Sequence, residues 1–137
     1  MIQVSFSHLD YNVADLQKAM SFYDPVMEVL GFVKEAHQPA WCLYNNQRFK
    51  LCLVECEDAF KGAGFHRKRP GLNHLAFHVE KKGDVDQLHH FLLQRKIPIL
   101  YGGPGQFHDE IEYYAIFFED PFRLKLEVVY SPRYFSI

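Results

Sequence analysis

The chain has 137 residues, 48% of them hydrophobic and 23% charged, which fits one globular domain or two small repeats sharing a core and excludes a disordered chain. A net charge of −2 offers no electrostatic attraction to nucleic acid or to an anionic membrane surface, so neither is an expected partner.

Residues 4–13, VSFSHLDYNV, alternate as a half-buried strand. Asp15 is placed to cap a helix whose apolar stripe runs Leu16, Ala19, Met20, Tyr23, Val26, Met27, Leu30. Pro25 falls inside that stripe and predicts a kink or break, and Gly31 closes the helix before an extended segment from Phe32. Strands follow at about 41–44 and 49–55, turned by Asn45-Asn46, and the polar residues 57–71 read as a linker.

The order then begins again. A strand at 71–79 precedes a helix capped by Asp84 or a near neighbour, with Val85, Leu88, Phe91 and Leu92 on its apolar stripe. Residues 97–101 are extended, GGPG at 102–105 opens a loop, and strands at 113–118 and 124–130 flank the Asp120-Pro121 turn. The expected organisation is βαβββ, linker, βαβββ: module 1 at about 4–56, the linker at 57–71, and module 2 at about 72–130.

The residues themselves repeat. YNNQRFKLCLV (44–54) lies over EDPFRLKLEVV (119–129) without a gap, and SHLDYNV (7–13) lies over NHLAFHV (73–79). The offset is 66 at one end and 75 at the other, so nine residues entered the second half, most simply at GGPGQFHDE (102–110). A long loop of that kind is where binding specificity is commonly built. The 13 Phe and 8 Tyr serve either core packing or an aromatic ligand cavity.

Strand alternation puts His8, Asp10 and Asn12 on one face, His74, Ala76 and His78 on the matching face, and Glu127 beside Lys125 and Val129. A strand histidine or glutamate alone is ordinarily structural. Two histidines at equivalent repeat positions, with Glu127 at the matching last strand, point instead to a metal. Two imidazoles and one carboxylate suit Fe, Mn, Zn, Ni or Co, and three protein ligands leave positions open for water or substrate. Asp10 and His78 are candidate pocket residues. Cys52, the counterpart of Glu127 in the first copy, is a fourth ligand or a neutral pocket thiol.

The segments SHLDYNVADLQKAMSFY, NHLAFHVEKKGDV and YYAIFFEDPFRLKLEVVY resemble the vicinal oxygen chelate superfamily, which includes glyoxalase I, bleomycin-resistance proteins, fosfomycin-resistance enzymes and extradiol dioxygenases. Phe122-Arg123 stands where Asp-Gly is common in that family. The resemblance implies an α+β fold of two βαβββ modules whose curved mixed sheets surround a central cleft. It implies a divalent metal at His8, His74 and Glu127, with Cys52 at the fourth site and Glu127 also moving a proton. A His, His, Glu set is similar to the fosfomycin-resistance and extradiol dioxygenase pattern, whereas glyoxalase I carries a carboxylate where Cys52 stands. The implied activity is metal-dependent chemistry on a small molecule that chelates through two oxygens, lyase- or isomerase-like. The alternatives are a dioxygenase-like or fosfomycin-resistance-like enzyme, or a non-catalytic antibiotic-binding protein. A homodimer is expected from the same resemblance. MIQVSFSHLD lacks a signal-peptide pattern, no run approaches the roughly 20 apolar residues of a membrane span, and the three cysteines include no CxxC pair, so the expected location is the cytoplasm.

Overall fold

The computed structural model describes residues 1–134, and the chain divides between Gly64 and Phe65 into two units, each containing one βαβββ module. In the first, β1 (His8–Val13), α1 (Leu16–Val29), β2 (Val33–Gln38), β3 (Trp41–Asn45) and β4 (Lys50–Glu55) form a sheet of order β1-β4-β3-β2. A short helix, α2 (Asp58–Lys61), follows inside the stretch expected to be a plain linker. In the second unit, β5 (His74–Val79), α3 (Lys82–Gln94), β6 (Ile99–Gln106), β7 (Tyr114–Glu119) and β8 (Lys125–Tyr130) form a sheet of order β5-β8-β7-β6. β1–β4 and β5–β8 pair in parallel and the remaining neighbours antiparallel, so both sheets are mixed and the fold is α+β.

Three local expectations change. The first strand begins at His8 rather than residue 4, because β1 pairs only with β4, whose first residue Lys50 lies opposite His8. Pro25 does not break α1, although its missing N–H removes one helical bond. Tyr23, Val26 and Met27 are fully buried around it, and Asp24 accepts from Tyr44 Oη (2.6 Å) and Lys34 Nζ (2.7 Å), so packing holds the turn. Asp84 is not the cap of α3: Lys81 occupies that position without a side-chain bond, and Asp84 lies in the first turn, where its charge suits the helix N-terminus. The first helix ends as expected, with Gly31 at φ +80 and Phe32 N donating to Met27 O (2.8 Å).

GGPG is not a loop outside the sheet. β6 runs through it, with Tyr101, Gly102 and Gly103 at φ 58, 82 and 115, and the pairing with β7 shifts between Leu100 and Gly105. These left-handed residues make a bulge that glycine accommodates readily and tyrosine does not.

The registers reproduce the repeat. His8 pairs with Lys50 and His74 with Lys125, so the offset is 66 for the first strands and 75 for the last. Asn45 pairs with Lys50 but Glu119 pairs with Lys125, so β3 and β7 are related by 74. Eight of the added residues therefore precede β7 and one enters the turn after it. That one-residue step places the gapless alignment out of phase across the turn. Residues 39–40 alone join β2 to β3, whereas residues 107–113 join β6 to β7.

Each sheet packs one face on its helix. In the second unit Val85, Leu88 and Leu92 of α3 and Leu126 and Val128 of β8 are buried together. Burying each such side chain contributes about 1.5–3 kcal/mol before the cost of ordering the chain. Alternation then turns Lys125, Glu127 and Val129 to the opposite face, the one that carries the site.

Candidate functional site

The second unit holds a pocket of about 620 Å³. Its floor is polar: His74 from the start of β5, Glu127 from the middle of β8, and Tyr113 just before β7. Glu127 is only 1% exposed, so its carboxylate has given up water and depends on partners. Oε1 accepts from Tyr113 Oη at 2.6 Å, and Oε2 faces His74 Nε2 at 3.0 Å. Burial, then the bond to Glu127, pushes the Tyr113 phenol well above its usual range, so it remains a donor to that carboxylate.

The other nitrogen of His74 orients the ring. Nδ1 lies 2.8 Å from Asn73 Oδ1, and Asn73 Nδ2 points at Arg67 O (3.5 Å), which fixes the amide so that Nδ1–H is the donor. A neutral ring then presents its Nε2 lone pair to the Glu127 oxygen. Two lone pairs at that distance need a positive charge between them, either a proton or a metal ion. The spacing also fits a metal: ligand bonds of about 2.1 Å at a right angle set their donor atoms about 3 Å apart. An Asn-oriented imidazole beside a buried carboxylate is the arrangement in which outer partners aim metal ligands. These two residues therefore fit half of a metal centre.

His8 belongs to the first unit, where it is exposed and its Nδ1 lies 3.1 Å from Ser7 Oγ. Neither unit by itself gathers three His, Cys, Asp or Glu side chains in metal-holding geometry among the described residues. Asp10 lies directly across from Cys52 on the β1–β4 ladder. Burial, then the Asp10 charge, raises the Cys52 thiol above its ordinary value, so it is held neutral. His78 shares an alternation face with His74 but bonds Ser131 O through Nε2 (3.1 Å), tying β5 to the segment after β8, and it does not line the pocket.

The walls are aromatic and come largely from the inserted region. Phe117 lies under Phe107 (ring centroids 4.9 Å apart) and Tyr101 (5.3 Å). His108 faces Tyr113 across the mouth, its Nδ1 accepting from Glu110 N at 3.1 Å. Gln106 holds this loop. Its Nε2 donates to His108 O (2.7 Å) and Ile111 O (2.6 Å), and its Oε1 accepts from Tyr113 N (3.0 Å). The backbone closes the base, Phe107 N donating to Tyr113 O at 3.0 Å. Neither Gln106 nor Tyr113 stands out in the sequence, because an irregular loop has no periodicity to mark them.

Residues 5–128 match the model of the Glyoxalase/Bleomycin resistance protein/Dioxygenase superfamily, and the chain belongs to that family. The protein YqjT of Bacillus subtilis, described as uncharacterized, is 34% identical over 122 residues, covering 89% of this chain and 95% of that one. Among solved structures, a candidate glyoxalase from Bacillus halodurans is 38% identical, with a TM-score of 0.82 over 90% of this chain and 92% of that one. The lactoylglutathione lyase of Agrobacterium tumefaciens shares the fold at 20% identity, with a TM-score of 0.69 over 94% of this chain and 95% of that one. Among the described residues no helix is long and apolar enough to cross a membrane.

Proposed function

We propose that the protein is a metal-dependent enzyme of the glyoxalase superfamily, acting on a small molecule that presents two adjacent oxygens, with lyase- or isomerase-like chemistry. The observation that carries this reading is the His74 Nε2–Glu127 Oε2 pair, 3.0 Å apart on the buried floor of an open aromatic pocket. His74 and Glu127 would hold a divalent ion (Fe, Mn, Zn, Ni or Co), with His8, of this chain or of a second copy, as the candidate third ligand. When bound, the metal supplies a Lewis acid that stabilises negative charge developing on substrate oxygens.

The protein's own groups do the rest. Tyr113 occupies Oε1 of Glu127 and leaves Oε2 for the metal side. Asn73 keeps the His74 lone pair directed inward. Glu127 also exchanges a proton with the substrate, and the aromatic walls exclude water from it. Cys52 is a neutral thiol, which favours a three-ligand set over the four-ligand set of glyoxalase I. The protein works in the cytoplasm as a homodimer. Exposed apolar side chains at Phe6 (65%), Val33 (69%) and Phe60 (70%) support association.

Elemental analysis after reconstitution with each divalent metal tests the reading. One equivalent per chain, lost in both His74→Ala and Glu127→Gln, is the expected result. Protein that takes up no transition metal yet binds small aromatic ligands would be a binding protein instead.

A further inference from the structure

Lys125 is the cation on the pocket-facing side of β8 and the cross-strand partner of Glu119. That neighbour is already taken: Glu119 accepts from Arg67 at 2.7 Å and lies 3.4 Å from Arg123 Nε. The other acid on this face, Glu127, is held by His74 and Tyr113. Among the described residues Lys125 therefore has no carboxylate partner. Its Nζ lies instead over the rings of Phe117 (5.5 Å) and Tyr101 (5.6 Å), inside the pocket. An ammonium group over aromatic faces is partly stripped of water and keeps its hydrogen-bond donors free.

Tyr101 adds a second observation. It adopts φ 58, a left-handed backbone that a bulky side chain rarely takes, and the residue is 61% exposed. Core burial does not account for that cost. The bulge directs the ring toward Phe107, Phe117 and Lys125.

We propose that this pocket selects a small molecule with an anionic oxygen head group on a flat, unsaturated body, Lys125 holding the head group and Tyr101, Phe107 and Phe117 walling the body. Carboxylate and phosphonate share the required chemistry. This substrate class deepens the metal-dependent reading, since it describes the part of the ligand turned away from His74 and Glu127, yet the Lys125 contact needs no metal.

The test titrates the full-length, metal-free protein with benzoate, phenylphosphonate and neutral benzamide, followed by heteronuclear NMR. At least one anion binds about tenfold tighter than benzamide, as expected for a charge-assisted bond, and moves signals around Lys125 and Tyr101. Which anion binds tighter identifies the head group. Lys125→Met, checked for a native spectrum, removes the preference while leaving benzamide binding as it was, and Lys125→Arg restores it. No anion binding, equal binding of the amide, or a preference that survives Lys125→Met overturns the proposal. A second titration of metal-loaded protein with protocatechuate and its amide separates the two claims. Equal binding of both leaves the metal reading intact and sinks the Lys125 claim. The anion preference without any metal uptake does the reverse.

Discussion

The same rung of the two parallel ladders carries one carboxylate in each unit, but on opposite strands. In the first unit it is Asp10 on β1, facing Cys52 on β4; in the second it is Glu127 on β8, facing Ala76 on β5. Asp10 is exposed, whereas Glu127 is buried and bonded by a histidine and a tyrosine. The ladders match in register, but β1 is an edge strand whereas β8 lies between β5 and β7. The connection before the antiparallel partner strand adds to the difference. Residues 107–113 bring Tyr113 to the carboxylate, while the two-residue connection at 39–40 brings nothing comparable. The candidate pocket thus lies in the copy with the longer connection.

Breaking the buried carboxylate has the largest expected effect. Glu127→Gln should weaken metal binding by more than about a hundredfold, since even outer partners of ligands are worth 10–100-fold. Competition with a metal indicator reads this directly, and a change of only a few-fold would sink the ligand assignment. Tyr113→Phe comes next. It strips a charge-assisted bond of roughly 1.5–3 kcal/mol from Glu127, and metal affinity should fall by about tenfold with the fold intact by circular dichroism. Gln106→Ala leaves two loop carbonyls and the Tyr113 amide without this side chain. Amide exchange in 107–113 should accelerate while the first unit keeps its protection.

The smaller effects concern the first unit and the turn. Burial holds the Cys42 and Cys52 thiols above their ordinary values. The folded thiols keep protons that the unfolded chain loses, so this contribution is complete below the ordinary thiol range, about pH 8.5, and stability falls as pH rises past it. Denaturant titrations across that range should show a shallower fall in Cys52→Ala, with metal affinity unchanged. Arg123→Gly relieves a left-handed residue at φ 73 and gives up only a 3.4 Å contact with Glu119, so thermal stability should rise by about 0.5 kcal/mol. Loss of stability would mean that the Glu119 contact outweighs the strain.

The duplication was legible because alternation and the paired motifs SHLDYNV/NHLAFHV and FKLCLVE/LKLEVVY constrain register, and register alone puts His74 and Glu127 on one face. What escaped the sequence was set by tertiary contacts. Pro25 reads as a breaker until Asp24, Tyr44 and the buried stripe are seen to hold its helix. GGPG reads as a loop because glycine and proline mark both turns and bulges, and only pairing with β7 separates them. Tyr113 and Gln106 carry no spacing signal, since their roles depend on how an irregular loop folds back over the sheet; alternation places Lys125 beside Glu127 but does not show the rings of Tyr101 and Phe117 beneath its ammonium group.

Gln106 gives the molecule a further property. One amide at the end of β6 bonds two carbonyls and one N–H of the loop, while Phe107 packs on Phe117 of β7, so that side chain and that ring contact tie the loop to the sheet. Sequence change at His108 to Glu112 leaves the backbone pairing of the β7–β8 ladder that carries Glu127 in place. The polar floor and part of the aromatic wall come from different segments. A scaffold so divided can acquire new ligands while keeping its buried carboxylate, and grafting loops between Gln106 and Tyr113 is the natural route to changing what it binds.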